Sequence, residues 1–250
     1  MNKKIVLITG AYGGIGEGLT KAFLKNEYVV VATGRREDKL TELKEKIKHE
    51  LDKDIEVITC DGGIENDVIN VISIIKGKYG RLDTIINNAQ GSKSGLMLIE
   101  HTKEDFDLAI NSGLYATFYF MKYAYPLLKE SKGSVINFAS GAGLFGKIAQ
   151  SSYAAAKEGI RGLSRVAATE WGVDNIRVNV ICPLVMTPKL EMWKSEYPEA
   201  YEKTIKDIPM RRFADAEEDI GELCVFLASD KAKYITGETI TVQGGSGLRP

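Results

Sequence analysis

The stretch "TGAYGGIG", residues 9–16, follows the apolar run "IVLI" at 5–8 and decides how the rest of the chain is read. Its glycines permit a sharp turn, and Gly10, Gly14 and Gly16 lack the Cβ that would hold a phosphate away from the backbone. A helix starting here offers free N–H groups and the positive end of its dipole to an anion. The three glycines stand at offsets 0, 4 and 6, not at the commoner dinucleotide spacing. Alone, the loop reads as a phosphate cradle or as a plain turn behind a strand. Its surroundings must choose.

Outward from the loop, short apolar runs alternate with helix-length segments. The runs are "KIVLIT", "YVVVAT", "IEVITC", "LDTIIN", "SVINFA", "IRVNVI" and "ETITVQ". Several are apolar on both faces, as strands of a parallel sheet covered by helices must be. Helices are expected near 14–26, 37–50, 65–79, 103–130, 152–172 and 215–228. This rhythm predicts an α/β fold: a single-domain, doubly wound Rossmann architecture of about seven parallel strands flanked by helices on both faces. No Pro/Gly/Ser linker, low-complexity tract or repeat interrupts it, so one domain over 1–250 is expected.

Composition narrows the function. A formal net charge of -1 offers no basic face for nucleic acid. Cys60, Cys182 and Cys224 are far apart without metal-ligand spacing, and read as buried thiols of a reducing compartment. With only His49 and His101 available, a histidine triad or zinc site is not expected, and no metal is assigned. The lysines before "IVLI" imitate a signal peptide, but the apolar run is too short for one. No stretch has the length of a membrane span. The expectation is a soluble, cytoplasmic protein with neither nucleic-acid nor membrane partners.

The segment "YAAAK" places Tyr153 and Lys157 one helical turn apart on one face. A second such pair exists, Tyr125 and Lys129 in "YPLLK", and each tyrosine has a serine thirteen residues upstream, Ser140 and Ser112. Geometry separates the two. Residues 104–129 read as one helix, along which Ser112 and Tyr125 would lie about 20 Å apart. Ser140 instead ends "SVINFA", and the Gly-rich "GAGLFG" turns the chain back before Tyr153. A strand-end serine and a helical tyrosine can meet at the carboxyl edge of the sheet, where open α/β folds bind ligands. Tyr125 is the decoy.

With these residues in place the chain resembles the short-chain dehydrogenase/reductase family over nearly its whole length. The matching motifs are "TGAYGGIG" at 9–16, "NNA" at 87–89, Asn111, Ser140, "YAAAK" at 153–157, "PLVMT" at 183–187 and "GG" at 244–245. The resemblance implies a nicotinamide cofactor, reversible hydride transfer to a carbonyl, and a homotetramer. It implies a catalytic set of Asn111, Ser140, Tyr153 and Lys157. It also implies cofactor contacts at Gly10, Tyr12, Gly14, Ile15, Gly16, Asp61, Asn88, Tyr153, Lys157 and Thr187. Chemically, a tyrosine near pKa ~10 is a poor acid at neutrality, and an adjacent ammonium would lower that value. Ser140 would hold the substrate oxygen, and Asn111 would anchor a water returning protons to solvent.

The end of the second strand sets the cofactor type. An acidic residue there would bind the ribose hydroxyl of NAD; this chain has Thr33, Gly34, Arg35 and Arg36. Without a carboxylate, and with two guanidiniums, a 2′-phosphate is accommodated, so NADP(H) is expected. The arginines also read as a solvated helix start. A substrate lid is expected at about 188–212, where Leu190, Met192, Trp193, Tyr197 and Tyr201 imply a largely hydrophobic ligand or simply pack the lid on the body. Gln90, Leu184 and Gln243 depart from the family pattern and favour a particular ketone, such as a hydroxysteroid, over the substrate of a 3-oxoacyl-carrier-protein reductase. A non-catalytic NADP-binding sensor or scaffold is a third reading. Phe106, Leu114, Phe118, Phe120, Met121 and Tyr123 on the 103–130 helix outnumber what one sheet face covers, which points to a partner surface and a tetramer.

Overall fold

The computed structural model describes residues 3–247; residues 1–2 and 248–250 of the expected domain lie outside the described residues. All seven expected strands form: β1 (Ile5–Thr9), β2 (Val29–Gly34), β3 (Glu56–Thr59), β4 (Thr84–Asn87), β5 (Ser134–Phe138), β6 (Arg177–Pro183) and β7 (Thr239–Val242). They build one sheet in the order β3-β2-β1-β4-β5-β6-β7, every pairing parallel. The strand order reverses between β1 and β4, and the carboxyl ends flanking that switch point form the crevice where such sheets take ligands.

Alternation along the strands feeds two cores. Val6 and Ile8 of β1, with Ile86 of β4 and Ile136 of β5, face one layer that includes Leu19, Phe23 and Leu227. Ile5, Leu7, Ile85 and Val135 face the other, against Val71, Ile75, Phe120 and Leu127. Both sheet faces are therefore apolar, which a doubly wound fold requires. The first layer contains α1 (Ile15–Lys25), α2 (Glu37–Leu51) and the helix ending at Ala228; the second contains α3 (Glu65–Tyr79), α5 (Ala116–Ser131) and α7 (Ser151–Trp171).

Two helices differ from expectation. The segment 103–130 is not one helix but α4 (Lys103–Ala109), a π-turn (Ile110–Tyr115) and α5. The widened turn lets the Ala116 N–H reach Asn111 O, and it brings Gly113 into the interior. Such one-turn π segments recur at functional sites. The last long helix likewise opens with a π-turn (Ala216–Gly221) before its α-helical part (Glu222–Ala228). There α1 approaches so closely that a Cβ on Gly18 would fall 2.5 Å from Ala216 C.

Three short helices were absent from the sequence reading: α6 (Gly141–Phe145), α8 (Pro188–Glu196) and α9 (Pro198–Lys206). The last two carry a small core of their own. Tyr201, Ile208 and Phe213 are buried there with Leu190 and Trp193 packed on them, whereas Met192 and Tyr197 are exposed.

The apolar surplus of the 103–131 region falls only in part on the expected residues. Phe120 and Met121 belong to the core, and Tyr123 donates its hydroxyl proton to Glu65. Phe118 is exposed as expected, and Leu108, Tyr115 and Val166 of α7 are exposed with it. Among the described residues no helix is long and apolar enough to cross a membrane, and no cluster of side chains could hold a metal ion.

Candidate active site

The glycine loop is shaped by close approaches. Gly10 has φ +65°, and a Cβ on it would lie 2.9 Å from Ala89 Cα. A Cβ on Gly16 would fall 2.2 Å from Gly10 O, so the first turn of α1 folds directly onto the loop. Gly14 is the N-cap of α1 and contributes no side chain to its open N–H groups. Beside the loop, Asn88 Nδ2 donates to the carbonyls of Thr9 (3.1 Å) and Gly10 (3.2 Å), tying the end of β4 to the end of β1.

The cleft over this loop has a volume of about 320 Å³ and is lined by Gly10, Tyr12, Ile15, Gly34, Arg35, Asp61, Asn88 and Thr187, among others. Tyr12 covers Gly34, with the Arg36 guanidinium 5.2 Å from its ring centroid. The two arginines therefore part ways: Arg35 faces the cleft, and Arg36 stacks on Tyr12. Asp61 accepts the Gly63 N–H at 3.0 Å, which holds its carboxylate at the cleft wall. The Thr187 hydroxyl accepts from Leu190 N and caps α8.

Ser140, Tyr153 and Lys157 come together past the ends of β5 and β6. Ser140 caps α6, its Oγ accepting the Ala142 N–H at 3.1 Å. Its hydroxyl also lies beside that of the half-buried Tyr153, where it favours the phenolate. One turn along α7, Lys157 is buried with Nζ 2.8 Å from Phe138 O and 5.6 Å from the Tyr153 ring centroid. The electrostatics correct one expectation. Burial dominates at Tyr153 and raises its pKa, with the Ser140 hydrogen bond pulling the other way. Lys157 points its ammonium at a strand carbonyl, and burial lowers its own pKa to about 7.

The decoy pair behaves as a structural clasp. Tyr125 donates to Asp174 Oδ2, and Lys129 Nζ stands 2.9 Å from Asp174 Oδ1. This joins α5 to the turn after α7, far along the helix from Ser112, which instead bonds Gly91 N and O.

Asn111 lies exposed on the π-turn and makes no side-chain hydrogen bond among the described residues. The same turn holds a second carboxamide. Gln90 reaches in from the end of β4, with Nε2 donating to Gly91 O (2.7 Å) and Ala109 O (3.0 Å). Gln90, expected to shape the pocket toward a particular ketone, packs instead where a side chain at Gly113 would stand.

The family model described as "Enoyl-(Acyl carrier protein) reductase" matches residues 10–247. The chain belongs to the short-chain dehydrogenase/reductase family. Within that family it is 54% identical to a 12alpha-hydroxysteroid dehydrogenase of a Clostridium species, over 99% of this chain and 98% of the relative. It is 34% identical to the 3-oxoacyl-acyl-carrier-protein reductase of Thermotoga maritima, over 97% of each chain. Among solved structures, ElxO with NADP bound superposes with TM-score 0.90 at 31% identity, over 98% of this chain and 99% of that one. YwfH, an NADPH-dependent reductase involved in bacilysin biosynthesis, superposes with TM-score 0.90 at 25% identity, over 98% of each. As a member of the short-chain dehydrogenase/reductase family the chain is an oxidoreductase, with the glycine cradle and the Ser140–Tyr153–Lys157 cluster at one sheet edge.

Proposed function

We propose that the chain interconverts a ketone and a secondary alcohol on a largely hydrophobic substrate of the hydroxysteroid type, using NADP(H). The observation that carries this reading is the convergence of Ser140, Tyr153 and buried Lys157 at the edge of the sheet that bears the glycine cradle. The cradle fits a dinucleotide: the space a Cβ would fill at Gly10 and Gly16 is closed to side chains, and the α1 N-terminus is open. Gly10, Tyr12, Gly14, Ile15 and Gly16 would hold the pyrophosphate side, with Asn88 and Thr187 flanking it. Asp61 would meet the adenine and Arg35 the 2′-phosphate, with Arg36 bracing Tyr12.

When bound, the cofactor supplies or accepts the hydride. Ser140 donates a hydrogen bond to the substrate oxygen, and Tyr153 gives its proton to the developing alkoxide. Lys157 holds the cofactor ribose and feeds the proton back. The Asn111 carboxamide on the π-turn holds water on the route to solvent.

Substrate class rests on the 54% identical relative and on an apolar wall. The Gly95 N–H donates to Ala149 O at 2.9 Å, joining the loop after β4 to the loop before Tyr153. These two loops expose Met97, Leu98, Ile99, Phe145 and Ile148, and Met192 is exposed on α8. Residues 188–212 act as the lid of a single domain, and their own small core lets them move as a unit. The exposed Leu108, Tyr115, Phe118 and Val166 form a two-fold contact of a homotetramer. The buried cysteines Cys60, Cys182 and Cys224 suit the reducing cytoplasm. The test is a panel of hydroxysteroids, oxosteroids, simple ketones and 3-oxoacyl thioesters, followed by NADPH absorbance. Turnover confined to the acyl thioesters would overturn the steroid reading.

A further inference from the structure

Ser140 caps a helix too short to fix its own position. α6 runs only from Gly141 to Phe145 and stops at Gly146, with φ +64°, so its place over the sheet is set by what it touches. Leu144 packs on Ala139, Val180 and Cys182, and a Cβ on Gly143 would fall 2.6 Å from Glu158 Oε1. The residue next to the serine meets something else. A Cβ on Gly141 would lie 2.7 Å from Gln243 Nε2. Gly141 is helical and lies outside the left-handed region, so this close approach, not the backbone, is what requires glycine there.

Gln243 is itself held. It follows β7, and its Nε2 donates to Cys182 O on the neighbouring β6 at 3.2 Å. The amide thus spans from the ends of β6 and β7 to the turn that follows β5. A Cβ on Gly247 would fall 2.4 Å from Gln243 Oε1, which closes the other side of the carboxamide. The backbone is pinned as well: Ser246 N–H donates to Gln243 O and Met210 N–H to Gly244 O, each at 3.0 Å. Ser140 Oγ accepts from Ala142 N, so its own proton is left to donate elsewhere. Where that proton can point depends on where α6 begins.

We infer that Gln243 is the positioning residue for Ser140: its carboxamide, bonded to Cys182 O, is the stop against which Gly141 rests, and it sets the Ser140 hydroxyl over the substrate oxygen. Gln243 exchanges no proton and acts only through the serine. The inference rests on the proposed carbonyl reductase activity, in which Ser140 holds that oxygen.

The test is a double-mutant cycle, read in single turnovers of NADPH with a ketone substrate so that weak variants remain measurable. Gln243→Met keeps the length and loses the bond to Cys182 O. It is expected to lower the rate about tenfold, with Tm and the NADPH dissociation constant (read by fluorescence) little changed. In a Ser140→Ala background, which has no hydroxyl to place, the same substitution is expected to change the rate by less than about twofold. Equal fold-losses in the two backgrounds overturn the inference, as does a lowered Tm with the rate unchanged. Gly141→Ala displaces the Gln243 amide from the other side, at a helical position that accepts alanine, and decides the matter should Gln243→Met fail to fold. It is expected to reproduce the loss, again only where Ser140 is present; a rate equal to the parent's overturns the inference. Failure of the underlying activity has a different signature, a Ser140→Ala variant as fast as the parent.

Discussion

The ring of Tyr12 occupies the place where a side chain at position 34 would begin: a Cβ on Gly34 would meet Tyr12 Cε1 at 2.2 Å. The missing carboxylate at the end of β2 is thus a packing matter as well as an electrostatic one. Tyr12 closes over Gly34, and Arg36 stacks on the outer face of the ring. Arg35 is left facing the cleft.

Cofactor choice can be tested at these positions. Arg35→Ala is expected to weaken NADPH about tenfold or more while leaving NADH little changed, because only NADPH carries the phosphate. Gly34→Asp alone should lower Tm and bind neither cofactor well, since the side chain collides with Tyr12. Titration by fluorescence checks both, and equal affinity of the parent for NADH and NADPH would refute the phosphate assignment.

Tyr153→Phe keeps the ring and removes the proton donor, so turnover should fall by about 10² or more with NADPH binding retained. Tyr125→Phe loses only the bond to Asp174, at the protein surface. Its turnover should stay near the parent's while Tm drops slightly. Equal losses in steady-state rate would mean that the wrong tyrosine was chosen.

Lys157 links the site to stability. Its pKa is lowered from 10.5 to about 7 by burial, so between about 7 and its unfolded value the unfolded chain binds more protons than the folded one. The contribution of this group therefore destabilises most below pH about 7 and is relieved as pH rises toward the unfolded value. Lys157→Met should be inactive, yet melt about 5 °C or more above the parent at pH about 6, with the gain shrinking at higher pH. Calorimetry on the cofactor-free protein reads the difference; a gain independent of pH would point to packing alone.

Assembly follows from the exposed stripe of Leu108, Tyr115, Phe118 and Val166. Exposed apolar side chains on α4, the π-turn, α5 and α7 suit a self-complementary two-fold contact. The parent should scatter light with the mass of four chains, and Phe118→Lys combined with Val166→Glu should reduce it to that of two or one. A monomeric parent at micromolar concentration would leave the stripe without a partner.

What the sequence determined by itself was local and periodic. The seven apolar runs became seven strands because burial on both faces demands unbroken hydrophobicity, and that pattern needs no knowledge of neighbours. The glycine loop and the turn before Tyr153 were legible for the same reason, since turn residues past a strand end are a chain property. The tertiary structure decided what depends on residues meeting from distant segments. It broke 103–130 with a π-turn at Gly113, and placed Gln90 in the space so opened. It moved the apolar surplus off Phe120 and Met121, which the second core absorbs, onto Leu108, Tyr115 and Val166. It also let burial outweigh charge at Tyr153, because desolvation is set by everything packed around a group and not by the lysine four residues away.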